Sequence, residues 1–407
     1  MSYLDKLSLV ANRKLDESHR IKNILREGFL NRGLIHKNDI VLEQEKTLAT
    51  VDGAVVVQQL HMGDLIHTCA VSSEGNTTSS LFEDNGPADY FSTYVDHDSK
   101  NSQSASSVMA LQEVLLLNDP NIIHDIKVID GAWYPGFIAV MKMAFGSVQG
   151  SALISEYLLQ RIREKEDEDF MFAFDKRINP WDHLGASETI AISKSDSSVY
   201  WNDMVHEILV ENNLESPIDV FYDRSLASLI LDAGEFLSPY PLSYERSEAW
   251  NVKKPNKDFP GYRGPVNIGA SREEQKIIRD FFRGVTTEGY GTGLSVGDSL
   301  RKNIEEKWLW SSYFKPTSHG EYGRPLRIDF CRDNHKTLPS DIVTKTNIIL
   351  SSVNNDIIPD IQEPLSQYYA DRKAKEISEV SKITKEYIAA QTSSEWGRVA
   401  LAKNYRT

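Results

Sequence analysis

Residues 47–72 constrain the fold of this chain more than any other stretch. TLATVDGAVVVQQ is dense in Val and Thr, His61-Met62-Gly63-Asp64 follows as a turn, and LIHTCAVSS resumes the same pattern. β-Branched residues suit a pleated, half-buried surface, and two such runs joined by a Gly-Asp turn predict an antiparallel hairpin. Residues 73–107, rich in Ser, Asn, Asp and Gly, read as a polar loop. A helix is expected through Val108, Leu111, Val114 and Leu115, stopping at Asn118-Asp119-Pro120, and IHDIKVIDGAW then supplies a strand ending at Asp130-Gly131.

Further along, residues 137–168 predict a helix whose end, within 161–169, is a solvated charge run. TIAISKS (189–195) reads as a buried strand, WNDMVHEILVEN as a helix, and IDVFYDRS (218–225) as a strand leading into a helix over 226–231. Residues 238–298 are irregular apart from a helix near 271–284; a strand over 324–333 and helices over 340–352 and 363–390 complete the series. This order predicts an α/β fold with both strand directions. An RNase H-like mixed sheet flanked by helices fits it, and so does a doubly wound nucleotide-binding sheet.

The 407 residues allow two or three domains or one large elaborated one. Hydrophobic residues at 40% and charged residues at 26% exclude wholesale disorder. Only Cys69 and Cys331 are present, which excludes a disulfide framework and a four-thiolate zinc site. No run of about 18 apolar residues occurs, and the charged N-terminus lacks the apolar core of a signal peptide. A cytoplasmic location is therefore expected. The net charge of −14 argues against passive DNA binding over the whole surface but leaves room for a local groove. Residues 1–45 form an expected N-terminal helical segment, with a stripe through Leu4, Leu7, Ile21, Ile24 and Leu25 suited to docking or assembly. Residues 46–407 are expected to hold the main domain, with the irregular insertion around 238–298.

Two Asp-Gly dipeptides carry the chemistry. Val51-Asp52-Gly53 and Ile129-Asp130-Gly131 each follow β-branched residues, and Glu113 lies on the helix expected between them. A carboxylate at a strand end is held rigidly, and the glycine after it permits a turn or a close approach. Carboxylates brought together oppose one another's ionisation and favour hard cations bound through oxygen. Asp-Gly also marks ordinary turns. Other motifs are weaker. Gly289-Tyr290-Gly291-Thr292-Gly293 lacks the Gly-Lys-Ser/Thr of a phosphate-binding loop. The ten histidines show no zinc spacing, and no nucleophile elbow is present.

In order along the chain, these segments resemble the NurA-type nucleases. TVDGAVVV with the following hairpin strand resembles that family's opening, Glu113 stands where it has a helix-borne acid, and VIDGAW resembles its second Asp-Gly strand. TIAISKSDSS, DVFYDRSLASLILDAGEFLSP, SYFKPTSHGEYGRPLRIDF and EPLSQYYADRKAKEIS resemble later segments, so the likeness spans about residues 45 to 390. The resemblance implies an RNase H-like fold and hydrolysis of DNA phosphodiesters with Mn2+ or Mg2+, held by Asp52, Glu113 and Asp130. It implies Lys194 as a cation for the scissile phosphate and Tyr222 as an aromatic against a base. Asp371 stands as a further metal ligand where the family often has His. It also implies a HerA-type hexameric ATPase as partner, a homodimer, and a setting in DNA end processing or in defence against foreign DNA. Two alternatives stay open: a non-catalytic RNase H-like adaptor, and a metal-dependent phosphatase on a doubly wound sheet.

Overall fold

The computed structural model describes residues 20–40, 46–60, 63–76, 88–117, 124–131, 148–164, 189–193, 198–214, 221–241, 270–278, 309–317, 324–331, 341–354, 357–358, 363–364, 370–377 and 379. Helix α1 covers 20–31. Strands β1 (Ile35–Lys37), β2 (Thr47–Gln59), β3 (Asp64–Asn76) and β4 (Ala88–Val95) follow, then α2 (Asn101–Leu117), β5 (Ile126–Asp130), α3 (Val148–Glu164) and β6 (Thr189–Ser193). Next come α4 (Asn202–Glu211), α5 (Asp223–Ile230), β7 (Glu235–Leu237), β8 (Tyr240–Pro241) and α6 (272–278). The series closes with β9 (Leu309–Lys315), β10 (Leu326–Cys331), α7 (Ile342–Asn354), the short pair β11 (Ile357–Ile358) and β12 (Glu363–Pro364), and α8 (370–377).

Among the described residues ten strands form one mixed sheet in the order β1-β7-β9-β10-β6-β5-β2-β3-β4, with β8 paired on β9. The meander β2-β3-β4 is antiparallel, whereas β5 and β6 run parallel to β2. A meander whose first strand is continued sideways by two parallel strands is the RNase H-like arrangement. Side chains alternate across the sheet, and helices cover both faces. On one, here the α2 face, Ala49, Val51, Ala70, Ile129 and Ala191 pack on Leu116 and Leu117 of α2. Ile66 and Phe91 pack there on the remainder of α2 and on α3. On the opposite, α7 face, Leu48, Val128, Ile190, Ile192 and Ile328 pack on Ile342, Leu350 and Val353. Each such aliphatic side chain, fully buried, contributes about 1.5–3 kcal/mol.

Helix α1 buries Ile21, Leu25 and Phe29 against α4, α5 and the sheet residues Ile35, Leu237 and Tyr313. Gly33, at φ 66°, ends the helix, and the amides of Gly33 and Leu34 close back on the carbonyls of Leu30 and Phe29. Helix α1 thus packs its part of the expected stripe on the chain's own body, while Leu4 and Leu7 lie outside the described residues. Arg26 fastens the contact through both carboxylate oxygens of Glu235, at 2.7 and 2.9 Å.

Several expected elements differ in extent. Residues 88–95 form β4 inside the stretch read as loop. Their period-two burial is real, but Asp89 and Ser92 lowered the apolar signal below that of a strand. Helix α2 begins at Asn101, seven residues before Val108, because its Ser-rich first turns pack with buried Ala105 and Ser104. Residues 223–225 open helix α5 instead of ending a strand, and residues 363–364 form β12 instead of opening a helix. Among the described residues no helix is long and apolar enough to cross a membrane.

Candidate functional site

Strand β2 runs on to Gln59, but β5 stops at Asp130, and their parallel ladder ends at Val51 opposite Ile129. One residue further on, Asp52 and Asp130 are neighbours on strands about 4.8 Å apart, and the shared register sends both side chains to the same face. Beyond them β2 has no neighbour on that side within the described residues. Among the described residues the carboxyl end of β5 therefore leaves a notch beside β2, and the carboxyl ends of strands are where open α/β sheets bind ligands. Gly131 turns the chain away at φ 90°, its amide held by the Ile192 carbonyl at 2.8 Å.

Gly53 acts differently from Gly131. It faces α2, and a Cβ there would lie 2.5 Å from Met109 Cγ, 2.6 Å from Glu113 Oε1 and 3.0 Å from the Cys69 carbonyl oxygen. The bare glycine lets α2 press against β2 and brings Glu113 over the strand. The Gly53 N–H donates to Asp52 Oδ1 at 2.8 Å and is also hydrogen-bonded to Glu113. Two carboxylates from different elements thus meet at one amide.

Glu113 is 8% exposed. Burial first, then the negative charges of Asp52 and Asp130, push its carboxyl well above the usual carboxylate range, and only the Gly53 N–H opposes them. The three acids expected from the sequence are therefore within electrostatic reach of one another at the notch. Among the described residues no three ligating side chains already surround a single ion position. The donor set nonetheless suits a hard divalent cation: three carboxylates whose ionisation is mutually unfavourable and which a cation would relieve. Cys69, under the site, does not soften that set. Burial pushes its thiol up to about 11, a backbone hydrogen bond at Ala54 opposes this, and the charges of Asp52, Glu113 and Asp89 add to it.

The remaining expected residues are placed unevenly. Helix α8 sits on the face that carries Asp52: its Ala370 and Ala374 are buried against Cys69 and Val71, and Val71 is the cross-strand partner of Asp52. Asp371 lies on this helix but is ion-paired with Lys375 one turn on, and it is not among the groups acting on Glu113. Lys194 lies outside the described residues. Tyr222 is 49% exposed at the N-cap position of α5, where its side chain makes no capping hydrogen bond, and it is not among the groups acting on Glu113.

Its neighbour Asp223 was not singled out by the sequence, yet it is fully buried. Its carboxylate accepts the Ser198 hydroxyl at 2.5 Å and the amides of Tyr200 and Trp201 at 2.8 and 2.9 Å. It thereby caps the start of α4, where Trp201 has no side-chain cap of its own. The partners are 22 to 25 residues away, so no local motif announces the role.

No family model matches the sequence, and no curated protein matches it. Solved structures do. The NurA nuclease from Sulfolobus solfataricus is 11% identical, with 97% of this chain and 99% of that chain covered at a TM-score of 0.51. A second NurA crystal structure is 10% identical over 98% and 100% of the two chains at 0.47. A NurA structure with manganese is 10% identical over 96% and 99% at 0.43. The first of these shows that the resemblance expected from the sequence extends to the fold along nearly the whole chain.

Proposed function

We propose that this chain is a divalent-metal-dependent deoxyribonuclease that hydrolyses DNA phosphodiester bonds, with Asp52, Glu113 and Asp130 holding Mn2+ or Mg2+. The observation that carries the proposal is the buried Glu113, set at the strand-end notch within the fields of Asp52 and Asp130. The fold, shared with a structure described as a NurA nuclease, supports the same reading. When bound, such a cation supplies Lewis-acid stabilisation of the phosphoryl oxygens and a more acidic water. The protein's own part is to hold the three carboxylates on rigid elements, two on central strands and one on a helix pressed against them.

Within this proposal Lys194, which follows the last residue of β6, neutralises the scissile phosphate. Tyr222, exposed at the start of α5, stacks on a base. Asp371, now paired with Lys375 on the same helix, would be a further residue to hold the cation. The sequence has no nucleotide-binding Walker loop, so ATP-driven movement of DNA is assigned to a partner, a HerA-type hexameric ATPase. A homodimer, a cytoplasmic location, and a role in end processing or in defence against foreign DNA complete the proposal.

The test is incubation of labelled linear and circular DNA with the full chain and Mn2+, with an Asp52→Ala control. Cleavage that needs Mn2+ and disappears in the control is expected. The rival reading, a non-catalytic adaptor, is favoured by one observation, the lack of a preassembled ligand cluster among the described residues. Absence of cleavage with Mn2+ and with Mg2+ would decide for it.

A further inference from the structure

The three parallel strands at the centre of the sheet, TLATVDGAVVVQQ, IKVID and TIAIS, contain a single cationic side chain, Lys127. It stands between Ala49 of β2 and Thr189 of β6 in the ladder, on the face that packs against α2. A lysine in the middle of a sheet covered on both faces is costly unless its ammonium has a defined use. Here Nζ donates to the carbonyl of Leu117 at 2.9 Å. Leu117 is the last residue of α2, a helix with no basic residue in its own last turn. The cation that a helix C-terminus favours is therefore supplied from across the interface, by β5.

Its place in both elements gives that bond a consequence for the site. Glu113 lies one turn before Leu117 on α2, and Asp130 lies three residues after Lys127 on β5. We infer that Lys127 is a positioning residue of the carboxylate site: its ammonium ties the helix that carries Glu113 to the strand that carries Asp130, and so sets the separation of the two acids. The inference rests on the metal-nuclease reading above. Gly53 controls how closely α2 approaches β2; Lys127 controls the same helix relative to β5. Groups that orient ligands without touching the metal typically contribute 10–100-fold to its affinity.

The experiment is Mn2+ binding by the full chain, followed by calorimetry and by the loss of the free-ion paramagnetic resonance signal, without DNA. Lys127→Met keeps the aliphatic stem and removes the donor; Lys127→Arg keeps a donor. Expected are Mn2+ binding weakened about tenfold or more in K127M, and affinity within about threefold of the parent in K127R. A merely structural lysine would lower the thermal midpoint of K127M and leave Mn2+ affinity unchanged, which would overturn the inference. Equal weakening in K127M and K127R would overturn it too, since the donor would then be irrelevant. Should K127M fail to fold, Lys127→Gln, whose shorter amide falls short of the Leu117 carbonyl, is read by the same criteria. Failure of the nuclease reading is distinguishable, because it leaves a parent protein that binds Mn2+ but does not cleave DNA.

Discussion

Gly53→Ala is the perturbation that most sharply separates a tightly built site from a loosely built one. The added Cβ would lie 2.5 Å from Met109 Cγ and 2.6 Å from Glu113 Oε1, against an ordinary carbon contact of about 3.5–4.0 Å. Restoring contact requires about 1 Å of retreat by α2 or by both side chains. The Cys69 carbonyl, at 3.0 Å, is backbone of the paired strand β3 and cannot turn aside. Overpacking of this kind costs about 1–3 kcal/mol, and displacement of a catalytic group by about 1 Å costs on the order of 100-fold in rate. Gly28→Ala is the control: its Cβ would meet three atoms of Ile208 at 2.7 to 3.0 Å, an equivalent clash between α1 and α4. The assay is urea unfolding together with Mn2+-dependent cleavage of linear DNA. Both variants should lose comparable stability, and only G53A should lose cleavage by about two orders of magnitude. Cleavage by G53A within threefold of the parent would refute the close-approach argument.

Two further outcomes concern pH. Because Glu113 ionises in the folded state only well above its ordinary 4.5, its contribution to metal-free stability is fully present below the unfolded pKa and is lost as pH rises through the folded one. Glu113→Gln should therefore raise the urea midpoint in EDTA at neutral pH and remove that fall; an unchanged pH profile would contradict it. Glu235 has the opposite sign. Burial raises its carboxyl, but the Arg26 hydrogen bond, the Asp232 amide and the charges of Arg26 and Lys37 together hold it below its ordinary value. Its stabilisation is present above the unfolded pKa and is lost as pH falls through the folded one. With the pair partly solvated, Glu235→Gln should cost about 1 kcal/mol at pH 7 and nothing at the acid end of a denaturation series.

The sequence made the centre of the fold readable because its elements obey local rules. β2 and β3 were visible as Val- and Thr-rich runs around a turn, and their pairing from Gln59–Asp64 back to Thr47–Asn76 is what that hairpin dictates. β4 was hidden because an edge strand with exposed Tyr90 and Tyr94 and buried Asp89 reads as polar. β1 and β7 were hidden because three-residue strands have too few positions to show a period. In the site, Asp52, Glu113 and Asp130 stood out through strand-end and helix patterns, although the two glycines after the aspartates serve unlike ends: one admits a helix, the other a left-handed turn. Asp223 and Lys127 were not legible. Each satisfies backbone groups of an element distant or separate in sequence, and only the folded arrangement reveals which ones.

The central claim is that three carboxylates from β2, α2 and β5 form one metal-dependent site. It is tested most directly by the rate of linear DNA cleavage as a function of Mn2+ concentration in the parent chain, Asp52→Asn and Asp130→Asn. Saturable Mn2+-dependent cleavage in the parent, and its loss in both variants with the fold intact, is the predicted result. Cleavage retained in both variants, or cleavage by the parent that is indifferent to Mn2+ and to EDTA, would contradict it.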